Sequence, residues 1–153
     1  MIRHAVEADA RDISEVLIRS ITHLCSADHK NATEAVTNWT AQKTPYDVVS
    51  WMHSGTLLRV SESEGRIAAI GGFLATGKIL LLYVDPMFQG AGHSSALLAS
   101  MEREIASMGI QQAQLVSSRT AQAFYQQKGW QPDGPEVACY STDGQPMKKQ
   151  LIP

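Results

Sequence analysis

"YVDPMFQGAGHSSALL", residues 83–98, runs from an apolar strand pattern through a proline and two closely spaced glycines into a helical pattern. Gly90 and Gly92 remove side chains where the strand hands over to the helix, so successive backbone N–H groups can face one anion. A helix N-terminus also carries about half a positive charge, which makes such a turn a cradle for a phosphate or diphosphate. A tight strand-to-helix turn without a ligand would need the same glycines, so the neighbouring residues must decide. A P-loop requires Lys followed by Ser or Thr after the glycines, and His93-Ser94 stands there instead. A dinucleotide fingerprint fits "GAGHSS" up to its last position, where Ser95 replaces Gly, and the next strand offers no acidic residue for a ribose.

Working outward, the residues before the turn change period at Thr56. Leu57, Leu58 and Val60, then Ile67, Ala69 and Ile70, then residues 79–84 form three strand runs separated by the short turns "SEG" and "TG". Short turns imply an antiparallel meander. After the turn, Ala96, Leu97, Met101, Ile105 and Met108 recur at helical spacing until Gly109 stops the pattern. Residues 112–117 read as a buried strand, 120–128 as a helix closed by Gly129, and 136–140 and 146–151 as two late strands.

Towards the N-terminus, residues 2–5 read as a strand, and Asp9 with Asp12 as a capping pair for a helix whose apolar face is Ile13, Val16, Leu17 and Ile21. The polar stretch 23–43 has no clean period and suggests one short helix between loops. Pro45 suits the first turn of a helix over 46–53, ended by Ser54-Gly55. Strand, helices, three hairpin-linked strands, helix, strand, helix and two strands make an α+β chain: a mixed, mainly antiparallel central sheet flanked by helices.

With 153 residues, 44% of them hydrophobic, and no linker or repeat, residues 1–153 are expected to form a single domain. A net charge of -2 gives no electrostatic reason to expect a nucleic-acid or membrane partner. Cys25 and Cys139 have no paired spacing, which predicts reduced thiols rather than a disulfide or a metal site. The polar opening "MIRHAVEADARD" and the lack of a long apolar run point to a cytoplasmic protein.

The stretch "VDPMFQGAGHSSALL" resembles the acyl-CoA-binding motif of the GNAT superfamily of N-acetyltransferases, R/Q-x-x-G-x-G/A after a strand and a Pro-containing loop. Here it reads Gln89-Gly90-Ala91-Gly92-His93-Ser94, with Ser at the last position. A second segment, "SRTAQAFYQQKGW", is similar to the later motif of the same superfamily: Ala121, Phe124, Tyr125, Gly129 and Trp130 fall in register, and Ser118 stands where Asn is frequent. The resemblance implies the GNAT acyl-CoA N-acyltransferase fold and an acetyl-CoA-dependent N-acetyltransferase that moves an acetyl group to a primary amine by direct attack.

It further implies that amides of Gln89, Gly90, Ala91, Gly92, His93 and Ser94 hold the CoA diphosphate. The pantetheine arm would run along an open strand edge at Leu82 and Val84, with Ser118 and Ala121 near the cofactor. Acyl transfer to an amine needs a neutral nucleophile, a stabilised oxyanion and a proton for the leaving thiolate. Tyr125 matches the family tyrosine that protonates that thiolate. His93 is expected to serve through its N–H only, Phe124 to face the core, and Lys128 to sit at a solvated helix end or near the phosphates.

For the general base and the acceptor wall the candidates are His23, Asp28 and His29 in "HLCSADHKN", with Tyr83 and Trp39 lining the pocket and Trp51 in the core. No metal is expected, because structural zinc wants four ligands and "CSADH" stands alone. The acceptor, a small-molecule amine or a peptide or protein amine, carries no readable signature, and a homodimer stays open. A non-catalytic acyl-CoA-binding regulatory module is the competing reading.

Overall fold

The computed structural model describes residues 1–139 and 142–152. Chain order is β1 (Ile2–His4), a 3-10 turn (Glu7–Asp9), α1 (Ala10–Leu24), α2 (Ser26–His29), α3 (Thr33–Thr40), α4 (Pro45–His53), β2 (Leu57–Ser63), β3 (Arg66–Phe73) and β4 (Ile79–Val84). A second 3-10 turn (Pro86–Phe88) leads to α5 (His93–Ser107), β5 (Gln112–Ser117), α6 (Gln122–Gln127), β6 (Gln131–Pro132), β7 (Val137–Cys139) and β8 (Thr142–Gln150). The order is the expected α+β arrangement, with a second helix between residues 23 and 43 and the two-residue strand β6 as additions. Of the late strand expected over 136–140, Tyr140 lies outside the described residues.

β1 to β4 form one antiparallel sheet in chain order, and β8 pairs antiparallel with β5, β6 and β7. Among the described residues one parallel bridge links the two halves, Lys78 to Gln114, with Gln114 N–H donating to Gly77 C=O at 3.1 Å. β3 is buried on both faces from Ile67 to Phe73. On one side α1 and α4 bury Ile13, Val16, Leu17 and Val48 against Leu58, Val60, Ile67 and Ile70. On the other, α5 presents Leu98, Met101 and Ile105 to Phe73, Ile79, Leu115 and Met147. Each such aliphatic side chain stabilises the fold by roughly 1.5–3 kcal/mol when fully buried.

Three local expectations are corrected. Asp9 does not cap α1 with Asp12: its carboxylate takes a two-pronged contact from Arg3 (2.8 and 2.9 Å) and the Val6 N–H (2.8 Å), closing the 3-10 turn. A guanidinium on the neighbouring strand offers stronger, charge-assisted hydrogen bonds than the helix amides do. The core face of α5 contains Leu98 rather than Ala96 or Met108, and Met108 is 44% exposed. β5 alternates buried and exposed residues, so only one face of it is covered. By contrast α4 begins at Pro45 and ends at Ser54-Gly55 as its sequence implies, strengthened by a reciprocal pair in which Asp47 N–H donates to Thr44 Oγ1 and Thr44 N–H to Asp47 Oδ2, both 3.1 Å.

The bridge at residues 77–78 is where the two sheet halves are held together, and Gly77 makes it possible. Its φ is +95°, and a Cβ there would lie 2.8 Å from Ile110 Cγ2. Gly77→Ala is therefore expected to destabilise the protein by about 1–2 kcal/mol from the left-handed backbone alone, with the Ile110 contact adding to it. Urea unfolding measures this, and a shift under about 0.5 kcal/mol, the scatter of neutral surface changes, would contradict it.

Candidate active site

The parting of β4 from β5 builds the site. In the β3–β4 ladder Gly72 pairs with Leu81 and Phe73 with Ile79, which leaves Leu80 as an extra, unpaired residue: a β-bulge. Below the bulge β4 reaches β5 through the Gly77–Gln114 hydrogen bond; above it no ladder joins them. Asp85 N–H donates to Ala68 C=O (2.8 Å), so by strand alternation Tyr83 and Leu81 also turn their backbone groups towards β3. Val84 and Leu82 then turn theirs towards the gap, as expected for an open edge.

Two connected clefts occupy the gap. One is bordered by residues 79–83 of β4, by Leu115 to Ser117 of β5, and by Ser118, Trp39, Ala121, Tyr125 and Gly144. The other shares Leu82, Tyr83, Ser118, Ala121 and Tyr125 and extends to Gln89 and Ser94 of the glycine turn. The wall of the second cleft also includes Ser20 and Leu24 of α1, Cys25 just after it, and Thr120 and Phe124 at α6. Sequence reasoning gave none of the first three to the site, since Ser20 reads as an ordinary helix position and Leu24 and Cys25 fall in a stretch without a clean period, and it placed Phe124 in the core. Phe124 instead borders the cleft, its ring 5.4 Å from that of Tyr125 and beneath Lys128 Nζ at 5.8 Å.

In the glycine turn, Gly90 and Gly92 have φ of +83° and +86°. A Cβ at either would meet no atom within 4 Å, so handedness of the chain, not crowding in the free protein, is what demands glycine there. The Gln89 and Ala91 N–H groups turn inwards to Pro86 and Phe88 C=O, at 3.4 and 3.3 Å. Gly90, Gly92, His93 and Ser94 donate to no described residue, the last two being orphan donors of the first turn of α5. His93 turns its ring away: Nδ1 lies 2.8 Å from Ser61 Oγ, and the ring meets Phe88 edge-on.

Tyr125 sits between the clefts, 6% exposed, its ring packed edge-on against Phe124 and Trp130. Burial pushes its phenol well above the ordinary value of 10.0, and its hydroxyl donates to no described residue. Ser118 Oγ accepts the Ala121 N–H at 3.3 Å, fixing the turn into α6. Cys25 is a free, buried thiol; burial and then the negative charge of Asp28 push it up to about 12. The Cys139 side chain lies outside the described residues.

The wall candidates are placed differently from expectation. His29 is 2% exposed with both ring nitrogens engaged: Nε2 to Ile21 C=O at 2.7 Å, and Nδ1 accepting the Asn31 N–H at 2.9 Å. Those partners define a neutral ring with the proton on Nε2. Asp28 accepts the N–H groups of Arg119 (2.5 Å) and Thr120 (3.1 Å) and the Thr120 hydroxyl, tying α2 to the start of α6. His23 is exposed on the last turn of α1, and none of the three borders either cleft. Tyr83 borders both and Trp39 one, and Trp51 packs in the core beneath Lys43.

The model of the acetyltransferase (GNAT) domain family matches residues 27–151. The chain belongs to the GNAT acetyltransferase family. Acetyl-CoA-dependent acyl transfer is the activity that comes with that membership. Among solved structures, the fold is similar to that of a GCN5-related N-acetyltransferase from Rhodopseudomonas palustris, with 19% identity, TM-score 0.88, and 98% of this chain and 94% of that one covered. PaiA N-acetyltransferase from Thermoplasma acidophilum, solved with coenzyme A, gives 16% identity and TM-score 0.81, with 98% of each chain covered. The aminoglycoside 6'-N-acetyltransferase from Enterococcus faecium gives 14% and 0.75, with 100% and 98% covered. No curated protein matches the chain by sequence. Among the described residues no helix is long and apolar enough to cross a membrane, and no cluster of His, Cys, Asp or Glu could hold a metal ion.

In this GNAT chain the glycine turn is anchored by a residue pair with no sequence signature. Asp85, just before the 3-10 turn, is 3% exposed, accepts the Met87 N–H (3.0 Å) and pairs with Arg19 of α1 at 2.5 Å. Burial alone would raise the Asp85 carboxyl, but the Met87 amide and Arg19 outweigh it and hold it below its ordinary value. A depressed carboxyl contributes stability that is present above its unfolded value, about 4, and is lost as pH falls through the lower folded value. Arg19→Met should lower the thermal midpoint at pH 7, with the gap from wild type closing below about pH 4 as Asp85 protonates in both. Melting curves across pH 3–7 test this; a gap independent of pH would refute the pairing.

Proposed function

We propose that the protein transfers an acetyl group from acetyl-CoA to a primary amine by direct attack, with Tyr125 as the general acid. The supporting observation is that the open edge of β4 and Tyr125 border two clefts that share five residues, one of which reaches the glycine turn at Gln89 and Ser94. The Gly90, Gly92, His93 and Ser94 N–H groups, at the positive end of α5, suit a diphosphate. Gln89 and Ala91 then shape the turn instead of donating to it. The exposed N–H and C=O of Leu82 and Val84 suit the amides of a pantetheine arm, which would add to β4 as a short strand does. The Val84 N–H is the donor we assign to the thioester carbonyl.

The buried phenol of Tyr125 stays protonated at neutral pH, which fits an acid and not a base. A thiolate expelled into the same apolar surroundings likewise takes a proton more readily than it would in water. Proton transfer from the phenol to that sulfur would assist its departure. Ser118 and Ala121 shape the turn beside the cofactor, and Tyr83 contacts the acceptor side. Small-molecule or peptide amines are the acceptors, and the reduced Cys25 thiol suits a cytoplasmic setting.

Tyr125→Phe should lower kcat by about 100-fold or more while leaving CoA affinity near wild type. Thiol release with a panel of amines reads the first and calorimetry the second; unchanged turnover would remove the acid role. Saturable CoA binding without thiol release on any amine would favour a non-catalytic binding module instead. Gly92→Val should weaken CoA binding by about tenfold or more, because a β-branched residue leaves the left-handed region and turns the amides of residues 92 and 93 aside. Intact affinity in that variant would count against the diphosphate cradle.

A further inference from the structure

We propose that Trp39 is a specificity-determining residue, its indole N–H donating a hydrogen bond to an oxygen on the acceptor amine. This rests on the acetyltransferase reading. Trp39 is 3% exposed on α3 and borders the cleft between β4 and β5. Among the described residues, its Nε1 is the buried side-chain polar atom without a hydrogen-bond partner. Other buried polar groups of the same protein are paired, including His29, Arg59, Ser61 and Asp85. An unpaired buried donor costs ~1–3 kcal/mol, and native proteins keep few of them without a purpose.

The indole is also held in place. It meets the His29 ring edge-on, centroids 6.2 Å apart at 77°, and packs with Ile21, Cys25 and Tyr83. His29 spends both nitrogens on backbone groups and so cannot take the indole proton. The arrangement orients Trp39 while leaving its donor unanswered.

Position tells which ligand answers it. The cleft that reaches Gln89 and Ser94 includes Tyr125; the one bordered by Trp39 shares Tyr125 but includes neither turn residue. A cofactor entering from the glycine turn, with its thioester beside Tyr125, leaves Trp39 beyond the reacting carbon. An indole N–H is a donor only, so it cannot bind an ammonium, and donating to the attacking lone pair would quench the nucleophile. It needs a separate lone pair. The cleft it borders is lined by the apolar Ile79 to Leu82, Leu115 and Val116, with Ser117, Ser118, Tyr83 and Tyr125 as its polar members. The acceptor class this describes is an amine with an apolar side chain and a carbonyl oxygen on the adjacent carbon, as in an α-amino amide.

The test compares leucinamide with 3-methylbutan-1-amine, the same molecule without the carboxamide, on wild type and Trp39→Phe. Phe keeps an aromatic ring and deletes the donor. The expected result is a KM for leucinamide raised about 5- to 10-fold, with kcat, CoA affinity and the KM for 3-methylbutan-1-amine little changed. The melting temperature of the free variant should equal or exceed wild type, because an unpaired donor has been removed. A lower melting temperature with the two amines affected equally would make Trp39 a structural residue and overturn the proposal. Loss of CoA affinity would place the donor on the cofactor instead, and transfer to other amines but to neither probe would exclude the acceptor class. If CoA binds and no amine at all is acetylated, the acetyltransferase reading itself fails, a result distinct from each of these.

Discussion

Everything in the site follows from one backbone constraint: two neighbouring parallel strands are joined at a single point and then separate. Sheet strands normally stay paired because buried N–H and C=O groups left alone are expensive. Here the extra residue at Leu80 twists β4 away just above the Gly77–Gln114 bond, so the edge groups of Leu82 and Val84 face a gap instead of β5. Such an edge is stable only if the gap holds water or a ligand rich in amides. The gap is thus a consequence of the register, and its polarity is set by main chain before any side chain is considered.

The glycine turn extends that logic from a strand edge to a helix end. Left-handed residues 90 and 92 bend the chain sharply after the 3-10 turn, so the orphan amides of α5 open near the same gap. Neither feature would suffice alone, because helix N-termini and strand edges are common. Their alignment depends on how rigidly the intervening segment 85–89 is held. Arg19 and Asp85 fix it to α1, and His93 reaches back to Ser61 on β2, so the turn is braced from both faces of the sheet.

Much of this was legible in the residues. Period changes at Thr56, the short turns and the two glycine-bearing motifs were enough to order the elements and to place Tyr125 on a helix after the fifth strand. What escaped was whatever depends on partners distant in sequence. Asp28 and His29 look like a base in a polar loop, yet one is consumed by Arg119 and Thr120 and the other by Ile21 and Asn31. Asp9 has the sequence of a helix cap, and Arg3 takes it. Short polar residues compete for several hydrogen-bonding groups, and which one wins is decided by tertiary proximity, not by local pattern.

Because those polar residues are committed to the frame, the clefts are left with neutral groups. Burial keeps Tyr125 and Cys25 in their protonated forms, and the remaining polarity comes from amides, hydroxyls and the indole of Trp39. A site of that kind acts through dipoles fixed in advance rather than by countercharge. Fixed dipoles in apolar surroundings favour a reaction whose charge appears at a known atom, such as the oxygen of a tetrahedral intermediate. They do little for a substrate carrying several charges, each of which would have to be stripped of water without compensation. On the function proposed above, the same burial that suits Tyr125 to the acid role also narrows the acceptor, and an unanswered indole N–H is what a site selecting one uncharged oxygen would contain.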